Sequence, residues 1–284
     1  SGRDSFIFEE MKRITDGGGK VLYIVPEQYA FSADKTVLYR MGEKYSHLTE
    51  TINFKRMAMT VNEKISPKKH DYITEEIKNL ILYKIYLKNA KEFKTLFKRG
   101  ASPDSVMLFK DIMTELKTNL ITAEDLGETI ERLPKESLLC GKLSDLKLIM
   151  EEYGRYTEEN YRDFDDGFLR LAKNISEHKL YKDYHIFIDN FIHLSKSEYL
   201  VLDALFKNAK SVCVSLMCDN CENTSEGDLF FLTSSLAHEI EKLAKDSEMS
   251  VKYTKCVQND EKRLLEIFTD ADCEKSENIV MTAA

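Results

Sequence analysis

Four short stretches hold the residues whose types and spacing are able to do chemistry. The chain opens Ser1-Gly2-Arg3-Asp4 ahead of an amphipathic run through Phe6, Ile7, Met11 and Ile14. A phosphate-binding loop needs a strand, a glycine-rich turn and a helix whose first amides face the phosphates, with Lys on the outer phosphates and a hydroxyl on magnesium. Only the tail of such a loop is present, and taken alone it reads as a frayed terminus. The run HIFIDNF at 185–191 is an apolar strand ending in an acid, Asp189. That arrangement holds magnesium beside a phosphate loop, and a Glu that orients water usually follows. Asn190 stands where that Glu would be, and the plainer reading of Asp189 is a polar residue at a strand end. The third stretch, Asn53-Phe54-Lys55-Arg56, opens a basic segment: residues 55–110 carry 13 Lys and Arg against 6 Asp and Glu in a chain of net charge −8. Cations beside aromatics suit a nucleic-acid strand, through phosphate neutralisation and base stacking. For the helical lysines a solvated helix face competes evenly. The fourth, Cys218-Asp219-Asn220-Cys221, is a CxxC pair without the second pair that a structural zinc site requires. With Cys140, Cys213, Cys256 and Cys273 it is read as free thiols in a reducing compartment. No Ser/His/Asp, Cys/His or paired-carboxylate arrangement follows from spacing, so no catalytic residue and no metal ligand set is assigned.

The elements that must position these residues follow from composition and periodicity. The 284 residues are 43% hydrophobic and 32% charged with 11 Gly and 4 Pro, too apolar for disorder and too poor in turn-formers for an all-β fold. Short apolar or β-branched runs at 20–25, 51–54, 184–188, 211–216 and 250–257 predict strands, and the helical patterns between most of them predict a largely parallel α/β sheet. Between the second and third strands lies a long block without strand signal. There Leu82, Tyr86, Ala90, Phe93 and Phe97 recur at helical spacing, as do Val106, Phe109, Met113 and Leu116, and Leu139, Leu143, Leu146, Met150 and Tyr153. Thr122 to Asp125 predicts a helix N-cap and Pro134 a helix end. No stretch approaches a membrane span and no signal peptide opens the chain, so a soluble, intracellular protein is expected. The missing initiator Met and the closing strand-like run at 278–281 suggest a piece of a longer protein.

The order of these pieces resembles that of a superfamily 1 helicase motor domain. VLYIVPEQYAFS at 21–32, INFKRMA at 52–58, LSDL at 143–146 and IFIDNF at 186–191 resemble the N-terminal region of the AddB/RexB family, the B subunit of the bacterial AddAB-type ATP-dependent helicase and deoxyribonuclease. The resemblance spans almost the whole chain. It implies a P-loop NTPase-like α/β domain over 1–65 and 179–284, with a helical insertion at 66–178. It makes Gly2, Arg3 and Asp4 a degenerate end of the phosphate loop and Asp189 with Asn190 its degenerate partner, Asp189 being the residue for magnesium if nucleotide binds. Arg is a planar fork rather than a compact ammonium, and a carboxylate beside phosphates is repulsive. Loss of a positioned general base costs about 10²- to 10⁴-fold, so little or no ATP hydrolysis is expected.

The resemblance further implies that Gln28, Phe54, Lys55 and Arg56 contact single-stranded DNA. Gln is able to read a base edge, Phe to stack, and Arg to pair with guanine or phosphate. Ala30 and Met59 replace a hydroxyl and a large aromatic frequent in the family, so the specificity would differ. The implied partners are a 3′-ended DNA strand, screened for the sequence called Chi, and a motor A subunit, in the cytoplasm. ATP and magnesium are implied only for a full-length protein. The family's iron–sulfur cysteines lie in its C-terminal part and are not Cys218 and Cys221. Two rival readings are a working P-loop ATPase and a DNA-indifferent helical adaptor.

Overall fold

The computed structural model describes residues 2–45, 47–65, 72–96, 102–160, 163, 166–218, 227–256 and 278–283. Ser1, Phe97, Cys221 and Cys273 lie outside the described residues, as do the side chains of Arg3, Asp4 and Cys256. The chain divides into two compact units, one built from 1–62, 169–194 and 198–284 and one from 63–168 with 195–197.

The first unit holds α1 (Gly2–Asp16), β1 (Lys20–Ile24), a 3-10 turn (Glu27–Tyr29), α2 (Ala30–Met41), β2 (Thr49–Ile52) and most of α3 (Phe54–Ile65). The second unit holds α4 (Glu75–Asn89), α5 (Pro103–Thr118), α6 (Ala123–Glu131) and α7 (Leu138–Asn160). The chain then re-enters the first unit through α8 (Gly167–His178) and continues with β3 (Tyr184–Ile188), α9 (Lys196–Asn208), β4 (Ser211–Met217), α10 (Phe231–Asp246), β5 (Val251–Cys256) and β6 (Asn278–Ala283).

The sheet has the order β2-β1-β3-β4-β6-β5. Its first four strands are parallel, with Leu22 opposite both Glu50 and Ile186, and Ile186 opposite Val212. The last two join antiparallel. β1 and β3 read as unbroken apolar runs because a parallel strand is buried on both faces. On one face Ile7, Phe8 and Met11 of α1 and Ala33, Val37 and Met41 of α2 pack with Val21, Tyr23 and Val25. α1 meets β1 through three glycines. Gly18 takes φ +77°, and a Cβ on Gly19 would lie 2.7 Å from the Ile14 side chain, so both positions require glycine.

β2 differs from its predicted 51–54 span. It begins earlier and ends at Ile52, because the Asn53 side chain accepts the Arg56 backbone N–H at 2.8 Å and caps α3, turning Phe54 into a helical residue.

The helical unit is built around Ile81, Leu82, Ile85, Phe93, Val106, Phe109, Met113, Ile149 and Tyr153. α6 starts with a reciprocal capping box: Asp125 N–H donates to the Thr122 hydroxyl at 3.2 Å, and Thr122 N–H donates to the Asp125 carboxylate at 2.7 Å. Asp145 of α7 is buried and accepts the backbone N–H groups of Lys94, Thr95 and Leu96, each at 2.8 Å. Leu139, at the start of the predicted α7 stripe, is exposed. Among the described residues no helix is long and apolar enough to cross a membrane.

Candidate functional site

Parallel strands all end at one edge of their sheet, so the segments after β1, β2 and β3 converge although they lie far apart in sequence. β1 leads to β2 on one side while β3 flanks it on the other, and a crevice between carboxyl ends opens where strand order reverses in this way. Every predicted site residue outside the amino terminus lies at this edge. Tight turning at 17–19 sends α1 back along β1, so its amino end, with Gly2, Arg3 and Asp4, points toward the same edge.

Gln28 is exposed in the 3-10 turn after β1. Lys55 and Arg56 are exposed in the first turn of α3. The two loops are joined by Lys55 Nζ, 3.6 Å from Glu27 Oε1, a surface pair that marks proximity more than it stabilises. The first turn of α3 also carries the positive end of the helix dipole, which is suited to an anion. Phe54 differs from the solvent-facing ring that base stacking needs. It is 2% exposed, with its ring centroid 5.6 Å from that of Phe191, tilted by 55°. Phe191 is a contributor that the sequence pattern did not single out, since nothing local couples it to Phe54.

Asp189 continues the ladder beyond β3, its N–H donating to Ile24 O at 3.0 Å. Its carboxylate is 3% exposed and accepts the Tyr23 hydroxyl at 2.8 Å and the Asn190 amide at 3.1 Å, both on Oδ2. Asn190 takes φ +64°, the left-handed region that Asn tolerates better than most residues. A Tyr inside a fully buried strand needs a partner for its hydroxyl, and this was the available sequence signal for the Tyr23–Asp189 contact.

Several lysines of the basic segment are held by protein groups. Lys78 is buried 3.3 Å from Asp163, Lys88 bonds Glu152 at 2.8 Å, Lys110 bonds Glu75 at 2.7 Å, and Lys84 lies 5.0 Å from the Tyr156 ring centroid. Cys140, Cys213 and Cys218 are buried. Among the described residues no cluster of His, Cys, Asp and Glu is able to hold a metal ion.

A four-strand parallel α/β sheet, extended by an antiparallel pair and with polar groups gathered at its carboxyl edge, makes this unit an α/β domain whose architecture is compatible with a Rossmann-like or P-loop-like fold. The family model described as "ADDB, N-terminal" matches residues 1–267, and the chain belongs to that family. It is 28% identical over 253 residues to the B subunit of the ATP-dependent helicase/deoxyribonuclease of Clostridium acetobutylicum, covering 88% of this chain and 22% of the relative. It is 30% identical over 264 residues to the corresponding protein of Clostridium tetani (90% and 23%), and 29% over 255 residues to that of Acetivibrio thermocellus (88% and 22%). The chain thus spans less than a quarter of the length of these relatives.

Proposed function

We propose that this chain is the helicase-like, non-hydrolysing N-terminal portion of the B subunit of an ATP-dependent helicase-nuclease. Acting in the cytoplasm with a motor A subunit, it binds and guides the 3′-ended single strand during recombinational repair of double-strand breaks, and its carboxyl edge screens that strand for Chi. The observation that carries this reading is the joining of two loops at one edge, with Gln28, Lys55 and Arg56 exposed together beside the amino end of α3. In this reading Gln28 meets a base edge and Arg56 a guanine or phosphate, and Lys55 adds charge beside the positive end of the α3 dipole. Phe54 joins the interface from beneath: packed on Phe191, it fixes the first turn of α3 and so the direction of Lys55 and Arg56.

A hydrolysing nucleotide site is a poor fit. The acid that would hold magnesium is buried against Tyr23 and Asn190, and no carboxylate follows it to orient water. Arg3 and Asp4 stand where a Lys and a hydroxyl would serve ATP. In this reading the chain therefore has no ATP hydrolysis of its own, and ATP and magnesium are left to the full-length protein and its motor subunit.

Fluorescence anisotropy of a labelled single-stranded oligonucleotide, titrated between about 50 and 200 mM salt, tests the reading. Binding that saturates, weakens steeply with salt and drops about tenfold in Arg56→Ala supports it, one lost charged contact being worth about 1–3 kcal/mol. Affinity unchanged in both Gln28→Ala and Arg56→Ala refutes the edge as the reading surface. ATP hydrolysis that Asp189→Ala abolishes refutes the non-hydrolysing assignment.

A further inference from the structure

α4 is apolar on two opposite faces. One face carries Ile81, Leu82 and Ile85 into the core of the helical unit. The other presents Leu80, Tyr83 and Leu87 to solvent at 68%, 44% and 59% exposure, a stripe at i, i+3 and i+7. A helix apolar on both sides is built to be covered on both. Scattered exposed leucines need no explanation, whereas three large side chains in one stripe form a patch of the kind that marks an interaction surface.

The charges beside the stripe indicate what covers it. Exposed Glu76 lies one turn before Leu80, and exposed Lys91 one turn after Leu87, just past the helix end. The pattern is symmetric about the midpoint between Tyr83 and Lys84. If a second α4 is laid antiparallel across the first about that midpoint, Leu80 meets Leu87 and Glu76 meets Lys91, each contact occurring twice, with the two Tyr83 side chains near the centre. A two-fold interface requires this self-complementarity, in which residue i meets j while j meets i. A parallel pairing would set Glu76 against Glu76 and Lys91 against Lys91.

We propose that the exposed face of α4 is a docking surface for a second copy of this chain, packed as an antiparallel helix pair. The role is separate from the strand-reading edge, uses none of its residues, and goes beyond the function proposed above. One helix pair covers less than the roughly 1,200–2,000 Å² of a stable interface, so the association is weak, with a dissociation constant above about 10 μM.

Sedimentation velocity on the 284-residue chain from about 5 to 300 μM tests it, with circular dichroism verifying the fold of each variant. The weight-average mass is expected to rise with concentration from the 32.9 kDa monomer toward the dimer, and to stay monomeric in Leu80→Lys and in Leu87→Lys. Glu76→Lys and Lys91→Glu alone are each expected to weaken association about threefold or more. The two together are expected to restore it, because the pair is re-formed with its signs exchanged. A wild type that is monomeric throughout, as it would be if this face served only a different protein, overturns the proposal. Association that survives Leu87→Lys, or that the double charge exchange does not restore, overturns it equally.

Discussion

Replacing Asp163 by Ala should destabilise the helical unit more than any other single charge deletion in it. The Asp163 carboxylate, 1% exposed, is shared by two ammonium groups: Lys78 of α4 at 3.3 Å, itself 5% exposed, and Lys117 of α5 at 2.9 Å. Lys117 has a second partner in Asp166 at 3.1 Å, which is 43% exposed. Burial pushes the Lys117 ammonium down, but Asp166 and Asp163 more than offset it and hold it above the ordinary lysine value. Truncating Asp163 strips a buried lysine of its carboxylate, a change that costs about 3–5 kcal/mol when one member of a buried pair is removed. Lys78→Met should cost less, since Asp163 keeps Lys117, and Asp166→Ala should stay within about 1 kcal/mol because water already reaches that carboxylate. Hydrogen-exchange mass spectrometry in a urea series, read on peptides from α4 and α5 against peptides from β1 and β3, assigns the loss to the correct unit. The raised Lys117 value also sets a sign. Its contribution is complete below the unfolded lysine value of about 10.4 and is lost as pH rises through the folded value, so this term should not vary between pH 6 and 9. A cost below about 1 kcal/mol for Asp163→Ala, or an equal cost for Asp166→Ala, would refute the reasoning.

Asp145→Ala frees the backbone amides of Lys94, Thr95 and Leu96 from a buried charged acceptor, and their exchange should accelerate by about 30-fold or more, equivalent to about 2 kcal/mol. His185 is held below its ordinary value by burial first, then by Lys210 and Arg13, with Glu10 opposing. The unfolded chain therefore takes up the proton first, and stability should fall as pH drops below about 6.5 toward the folded value; urea midpoints at pH 7.5 and 5.5 should lie closer together in His185→Gln than in the wild type. Asn190→Glu should destabilise by about 1–3 kcal/mol in urea unfolding, since Glu is strained at φ +64° and sets a second carboxylate beside buried Asp189. Phosphate release measured on the same variant should show no gain of ATP hydrolysis.

β1, β3 and β4 were legible because a parallel strand buried on both faces leaves an apolar run bounded by turn residues, as at 20–25 and 184–188. β2 was misplaced by two residues because Asn53 serves α3 as its cap, and a short strand beside a cap carries too little pattern to fix its end. At the edge, Asp189 was readable as an acid closing an apolar strand. The burial of Phe54 was not, because it depends on Phe191, a residue distant in sequence whose approach is set by strand order. Lys78 misled for a related reason. It sits among many lysines and reads as part of a basic surface, while its buried partner Asp163 lies beyond three intervening helices. The left-handed turn at 190 had a legible signal in the identity of the residue, since Asn accepts that conformation at the least cost of any side chain other than Gly.

The position of the edge follows from the sheet's own geometry. In an antiparallel hairpin, successive loops alternate between the two ends of a sheet and would divide Gln28 from Arg56. In a parallel pair each strand must return by a crossover, here α2 between β1 and β2, so both strands release their following residues at the same end. The return from β2 to β3 spans the whole helical unit, yet parallel pairing of β1 with β3 still delivers Asp189 and Phe191 to that end. A large insertion is therefore tolerated between two site-forming strands without moving the site, because register with β1, and not loop length, decides where Asp189 emerges. The hydrogen bond from Asp189 N–H to Ile24 O records that register one residue past the strand. It leaves the acid beside Tyr23 and places Phe191 where it supports Phe54, so the same pairing that closes off Asp189 also holds the helix end that presents Lys55 and Arg56.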